Sequence, residues 1–113
     1  VPVVTRTTVT KAAGALVVAK ALDNAREQKS SECDRLNRAV QDAKNRVGDF
    51  KPAKCLSGMT KWELTQRRNA WLHLATTRAI RDQKCWGGGD EGHQGAQADA
   101  WMHVGNCNNL LAE

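Results

Sequence analysis

The residues able to do chemistry gather in one stretch, Cys85-Trp86-Gly87-Gly88-Gly89-Asp90-Glu91-Gly92-His93. A histidine, two carboxylates and a tryptophan stand among four glycines there, directly after a basic segment that carries Arg78, Arg81, Asp82 and Lys84. An imidazole titrates near neutral pH, so His93 suits the work of a general base or acid. Asp82 or Asp90 can orient that imidazole through its second nitrogen. Arg78, Arg81 and Lys84 can hold a phosphate, the arginines bidentately. On a helix, positions 78 and 81, or 81 and 84, share a face. Trp86 offers a platform for an unpaired base, and Gly88 and Gly89 let the backbone come close to a substrate. Cleavage of RNA without a metal needs this set: a base for the ribose 2′-hydroxyl, an acid for the leaving oxygen and cations for the phosphorane charge. Such a site calls for no cofactor.

Two other readings use the same residues. Asp90, Glu91 and His93 can be taken as ligands of a divalent ion that activates water, which makes the stretch a metal-dependent DNA nuclease site. The stretch can also be a plain linker that ends one helix, with His93 capping a next helix that starts near Gln94. In that case the domain is a disulfide-stapled adaptor that binds a partner without catalysis. Elsewhere, His73 and His103 lie on helical faces and read as structural. Trp62, Trp71 and Trp101 read as core. Arg67 and Arg68 read as a solvated face.

The elements that must position this stretch are helical. The chain has 113 residues, one domain's worth, and is poor in strand formers after Val18. We expect an all-α fold of three to four helices, with the glycine-rich loop between the last two. Residues 1–10 alternate Val with Thr and read as an extended lead-in; residues 11–113 form a single helical domain. Leu16, Ala19, Leu22, Ala25, Leu36, Ala39, Val40 and Val47 recur at helical intervals, giving one long helix or two consecutive ones over about 11–46. Gly48 is placed to terminate it and Pro52 prevents its continuation. Thr60 and Glu63 have capping-box spacing. The helix they open runs to about Lys84, with Trp62, Leu64, Trp71, Leu72, Leu74, Ala75 and Ile80 on its apolar side. A last helix spans 94–111, with Ala96, Ala100, Val104 and Leu111 near one face.

Charge and cysteine count narrow the setting. Lys and Arg number 17 against 12 Asp and Glu, a formal +5 that favours an anionic partner such as nucleic acid or an acidic protein. Cys33, Cys55, Cys85 and Cys107 include no Cys-x-x-Cys pair, which argues against structural zinc. They read as two disulfides and therefore as a protein of an oxidising compartment, with buried free thiols as the alternative. Of three possible connectivities, equal spacing favours Cys33 with Cys55 and Cys85 with Cys107. The apolar run at 12–19 is too short to span a membrane and lacks the pattern of a signal peptide. With no initiating Met, the expectation is a domain cut from a longer exported polypeptide.

The combination Arg78-x-x-Arg81-Asp82-x-x-Cys85-Trp86-x-Gly88-Gly89-Asp90-x-Gly92-His93, followed by Ala96, Ala100 and Cys107, resembles the helical toxin domains called novel toxin 16. Those domains end the polymorphic effectors of bacteria, behind Rhs-type or type VI-secreted delivery regions. The resemblance lies in the C-terminal third and is loose elsewhere. It implies a toxin delivered into a target bacterial cell, an attack on RNA, and neutralisation by a cognate immunity protein. The basic charge makes an acidic immunity protein the natural partner.

Overall fold

The computed structural model describes residues 30–113. The expected lead-in at 1–10 and the helical pattern from Lys11 to Ala25 lie outside the described residues. Cys33–Glu113 forms a compact unit by itself. The described residues hold three helices: α1, helical over residues 30–48; α2, Lys61–Trp86; and α3, Glu91–Leu111. No strand occurs among the described residues, so the all-α expectation holds.

In α1 the helical spacing of Val40, Ala43 and Val47 puts all three in the core, while charged residues such as Asp34, Arg38 and Lys44 face solvent. The helix stops at Gly48, but without the left-handed cap that glycine offers. Asp49 N donates instead to Asn45 O at 3.1 Å, and Phe50 N to Val47 O at 3.2 Å. The chain then runs back to α2 through a loop that two α2 side chains hold by its carbonyls. Arg67 Nε donates to Pro52 O at 2.8 Å and Trp71 Nε1 to Ala53 O at 3.0 Å. Arg67 is therefore not a solvated residue, as its charge suggested. It is only 7% exposed, lies over the Phe50 ring, and spends its donors on Pro52 and Glu63 carbonyls. Burying a guanidinium is tolerable only when its donors are satisfied in this way.

The capping box at the head of α2 is formed. Thr60 Oγ1 accepts from Glu63 N at 3.1 Å, and Glu63 Oε1 accepts from Thr60 N at 3.4 Å. Leu64, Ala70, Trp71, Leu74 and Ala75 of α2 meet Ala100, Val104 and Cys107 of α3 and the three α1 residues in one core. The tryptophans divide otherwise than expected. Trp71 is buried and stacks on His103, whose ring centroid is 3.9 Å away, which gives that histidine a structural place. Trp62 is 71% exposed and Trp101 lies outside the core too, as do Leu72 and Ile80. Trp62 and Ile80 lie on the opposite side of α2 from Trp71 and Leu74, so the core does not reach them.

α2 and α3 are antiparallel. At the far end from the glycine turn, Lys61 Nζ donates to Leu111 O and places a cation on the last carbonyls of α3. This geometry decides the cysteines. Cys85 ends α2 beside the turn, whereas Cys107 lies 16 residues into α3, about 24 Å further along at 1.5 Å per residue. The expected partners therefore sit at opposite ends of the hairpin. Each cysteine bonds instead to the one at its own end: Cys33 to Cys85 and Cys55 to Cys107, with Cα atoms 5.9 and 5.2 Å apart. Equal spacing carried no information, because it is shared by both arrangements; each observed bridge spans 52 residues. Two disulfides also suit the oxidising setting inferred from cysteine count. No helix among the described residues is long and apolar enough to cross a membrane.

Non-reducing peptide mapping should return the peptides Cys33 with Cys85 and Cys55 with Cys107. Replacing Cys55 and Cys107 together by alanine should lower unfolding stability by about 4 kcal/mol in urea melts, the chain-entropy value for a loop of this length.

Candidate functional site

The site lies where α2 turns into α3. α2 runs to Trp86, past the expected end at Lys84, and Gly87 caps it at φ 59°. Gly87 and Gly88 both turn their N–H groups onto the Asp82 carbonyl, the latter at 2.9 Å. Gly89, at φ 87°, is the tightest point. A Cβ there would stand 2.8 Å from the His93 Cβ and 3.4 Å from Asp82. The absent side chain is what lets His93 approach the end of α2.

The loop is shorter than the sequence suggested, because α3 starts at Glu91 rather than near Gln94. Asp90 is its N-cap, and Asp90 Oδ1 accepts the His93 backbone N–H at 2.9 Å. The same oxygen lies 2.7 Å from His93 Nδ1. Asp90 thus serves as cap and as partner of the imidazole. The His93 N–H, then the His93 ring, hold the Asp90 carboxyl below its ordinary value, although it is open to water. An ionised carboxylate only accepts, so Nδ1 must donate and Nε2 is the nitrogen left for proton exchange. His93 is not the helix cap; it occupies the third helical position and leans on the cap.

Trp86 and Arg81 complete the cluster. The Trp86 and His93 ring centroids are 4.6 Å apart and tilted by 34°, and Arg81 Cζ stands 5.1 Å from the Trp86 ring centroid. Trp86, Gly89, Asp90 and His93 line an open recess of about 340 Å³. Arg78, one turn back, is less available: its Nη1 donates to Ala96 O at 3.0 Å. Burial, then the like charge of Arg81, lowers its pKa from the usual arginine value. Lys84 is exposed on the same last turn of α2.

Asp82 departs from the sequence reading. Its side chain has no solvent exposure and does not reach the imidazole. Oδ1 accepts Arg81 Nε at 2.9 Å and Oδ2 accepts Gln97 Nε2 at 2.6 Å. Of the two carboxylates proposed to orient His93, the structure places only Asp90 on it. Gln94 and Gln97 were missed altogether. Gln94 Nε2 donates to Gly89 O at 3.2 Å, so both amides tie the first turns of α3 back to the turn and to α2. Their only signal was position, in the first turns after the glycines, and position alone names no partner. As for the alternative ligand set of Asp90, Glu91 and His93, no three His, Cys, Asp or Glu side chains converge to hold a metal among the described residues.

The arrangement pairs a carboxylate-oriented imidazole with an aromatic face at an open recess, and sets a guanidinium over that aromatic ring. It can move a proton beside an anion. Compared with known proteins, the chain matches no family model, no curated protein and no solved structure.

Two variants of the turn should separate backbone strain from close approach. Gly87→Ala, with nothing within 4 Å of a new Cβ, should cost only the left-handed backbone, about 1–2 kcal/mol. Gly89→Ala adds the collision with His93 and should cost more in urea melts. Asp90→Ala tests the cap by pH. Because folding lowers the Asp90 pKa, its ionic contribution is full above about pH 4 and fades as pH falls through the folded value. The stability gap between wild type and Asp90→Ala should therefore be flat near neutrality and narrow in acid.

Proposed function

We propose that the domain is the toxin of a secreted antibacterial effector, acting as a metal-free ribonuclease at the α2–α3 turn. What supports this reading is one convergence: the Asp90–His93 pair and the Trp86 ring line one open recess, and Arg81 lies over the Trp86 ring. The resemblance of the Arg78-to-His93 motif to novel toxin 16 domains points the same way.

In this reading an unpaired nucleotide enters the recess beside Trp86. His93 Nε2 takes the proton of the ribose 2′-hydroxyl, while Asp90 holds Nδ1–H and stabilises the imidazolium that forms. The 2′-oxygen attacks phosphorus and the 5′-oxygen leaves, taking a proton from water, to give a 2′,3′-cyclic phosphate and a 5′-hydroxyl. Arg81 is the cation for the phosphorane oxygens, since its bond to Asp82 uses Nε and leaves the two terminal amino groups outside that bond. Arg78, already bonded to α3, adds field and no direct contact. Delivery into a target bacterium makes a cognate immunity protein necessary, and an acidic partner covering the residue 86–93 recess suits a chain of +5.

Expression in a bacterial cell should degrade total RNA and leave DNA intact. Chelation should not stop cleavage, and a 2′-deoxy substrate should resist it. His93→Ala should cut the rate by about 10²–10⁴-fold with the helical signal retained. Asp90→Asn is the sharper variant. Asparagine keeps the acceptor that caps the helix and gives up only the charge, so α3 should stay folded while cleavage falls. Full activity in folded His93→Ala would sink this assignment.

A further inference from the structure

Asp82 is wholly buried, yet it belongs neither to the recess nor to the apolar core packing. A carboxylate in that position is tolerable only if its oxygens are filled by donors. Arg81 Nε fills Oδ1 at 2.9 Å, and Gln97 Nε2 fills Oδ2 at 2.6 Å from α3. The same Gln97 nitrogen also reaches toward Gly88 O at 3.5 Å. Arg81 and Asp82 are sequence neighbours, and adjacent helical residues do not naturally face each other. Their bond therefore depends on how the Asp82 carboxylate is turned. Gln97 is the group opposite Arg81 that sets that turn.

We propose that Gln97 is the positioning residue for Arg81. By holding Asp82 Oδ2, it keeps Oδ1 on Arg81 Nε and so fixes the plane of the guanidinium over the Trp86 ring. The line of action runs from α3 through a buried carboxylate back to the last turn of α2. Its catalytic consequence rests on the ribonuclease reading; its geometry does not. Gln97 is not part of the recess lining; its short bond is to Asp82, at 2.6 Å against 3.5 Å for Gly88 O, so its route to Arg81 runs through the carboxylate.

The test uses the oxidised full chain and two readouts. Without substrate, NMR of the arginine Nε–H signals should show Arg81 Nε–H protected from exchange in wild type. Gln97→Leu should remove that protection while the amides of α2 and α3 keep theirs. With a single-stranded RNA oligonucleotide, Gln97→Leu should lower kcat/KM by up to about 10²-fold, the scale of a small misplacement of a catalytic group. In an Arg81→Ala background the same change should cost nothing further, because the residue it positions is gone. A general loosening of the fold would instead lower activity equally in both backgrounds, and that result overturns the proposal. So does unchanged Arg81 protection, or wild-type kcat/KM, in Gln97→Leu. If that variant does not fold, Gln97→Asn, one methylene too short to hold Oδ2, is read by the same criteria. A wild-type protein that cleaves no RNA removes the ribonuclease reading alone, and the exchange measurement still decides Gln97.

Discussion

A helix of 21 residues with glycine at positions 92, 95 and 105 holds its place by contact, since each internal glycine costs about 1 kcal/mol relative to alanine. The core that α3 enters includes several small side chains, Ala43, Ala70 and Ala75, and α3 adds Ala100 to them. The two disulfides supply what this packing lacks. One clamps the turn end and ties α1 to α2; the other clamps the open end and ties α3 to the loop between α1 and α2. Every polar arrangement at the turn is built inside that clamp. Cys85 is the residue before Trp86 and lies one turn after Asp82, so the bridge to Cys33 steadies the segment that carries Arg81, Asp82 and Trp86.

Within the clamp, the turn is organised by a carboxylate sealed from solvent. Asp82 accepts through its main-chain carbonyl from the capping glycines and through its side chain from Arg81 and Gln97. The exposed carboxylate, Asp90, does the visible work, as cap of α3 and partner of His93. The two aspartates thus divide the interior of the turn from its surface. Burial makes the difference: Asp82 is enclosed by its donors, whereas the Asp90 side chain is 74% open to solvent.

Much of the helical plan was legible because it rests on local rules. The Thr60–Glu63 box, the glycine after Trp86 and the spacing of Val40 and Val47 are short-range signals, and each marks the element it predicted. The grouping of Trp86, Asp90 and His93 was also legible, since residues within a few positions of a tight turn must be neighbours. Long-range facts were not. Disulfide pairing depends on which helix ends coincide, and cysteine spacing is silent on that. Arg67 looked solvated because its charge is plain in the sequence while the Pro52 carbonyl that accepts its N–H is not. Gln97 was invisible for the same reason: its partner lies 15 residues away, across the hairpin. Trp62 misled in the opposite direction, because an indole at helical spacing reads as core wherever the helix happens to turn it.

The bridges overlap in sequence, Cys33 to Cys85 and Cys55 to Cys107, so their spans interleave across α2. A protease that cuts once between Cys33 and Cys55 leaves the pieces joined by the first bridge. A cut between Cys85 and Cys107 leaves them joined by the second, and one inside α2 leaves them joined by both. Side-by-side bridges would have let a single nick in α2 release two separate halves. The interleaved pair makes the domain one covalent object after any single cleavage between its outer cysteines.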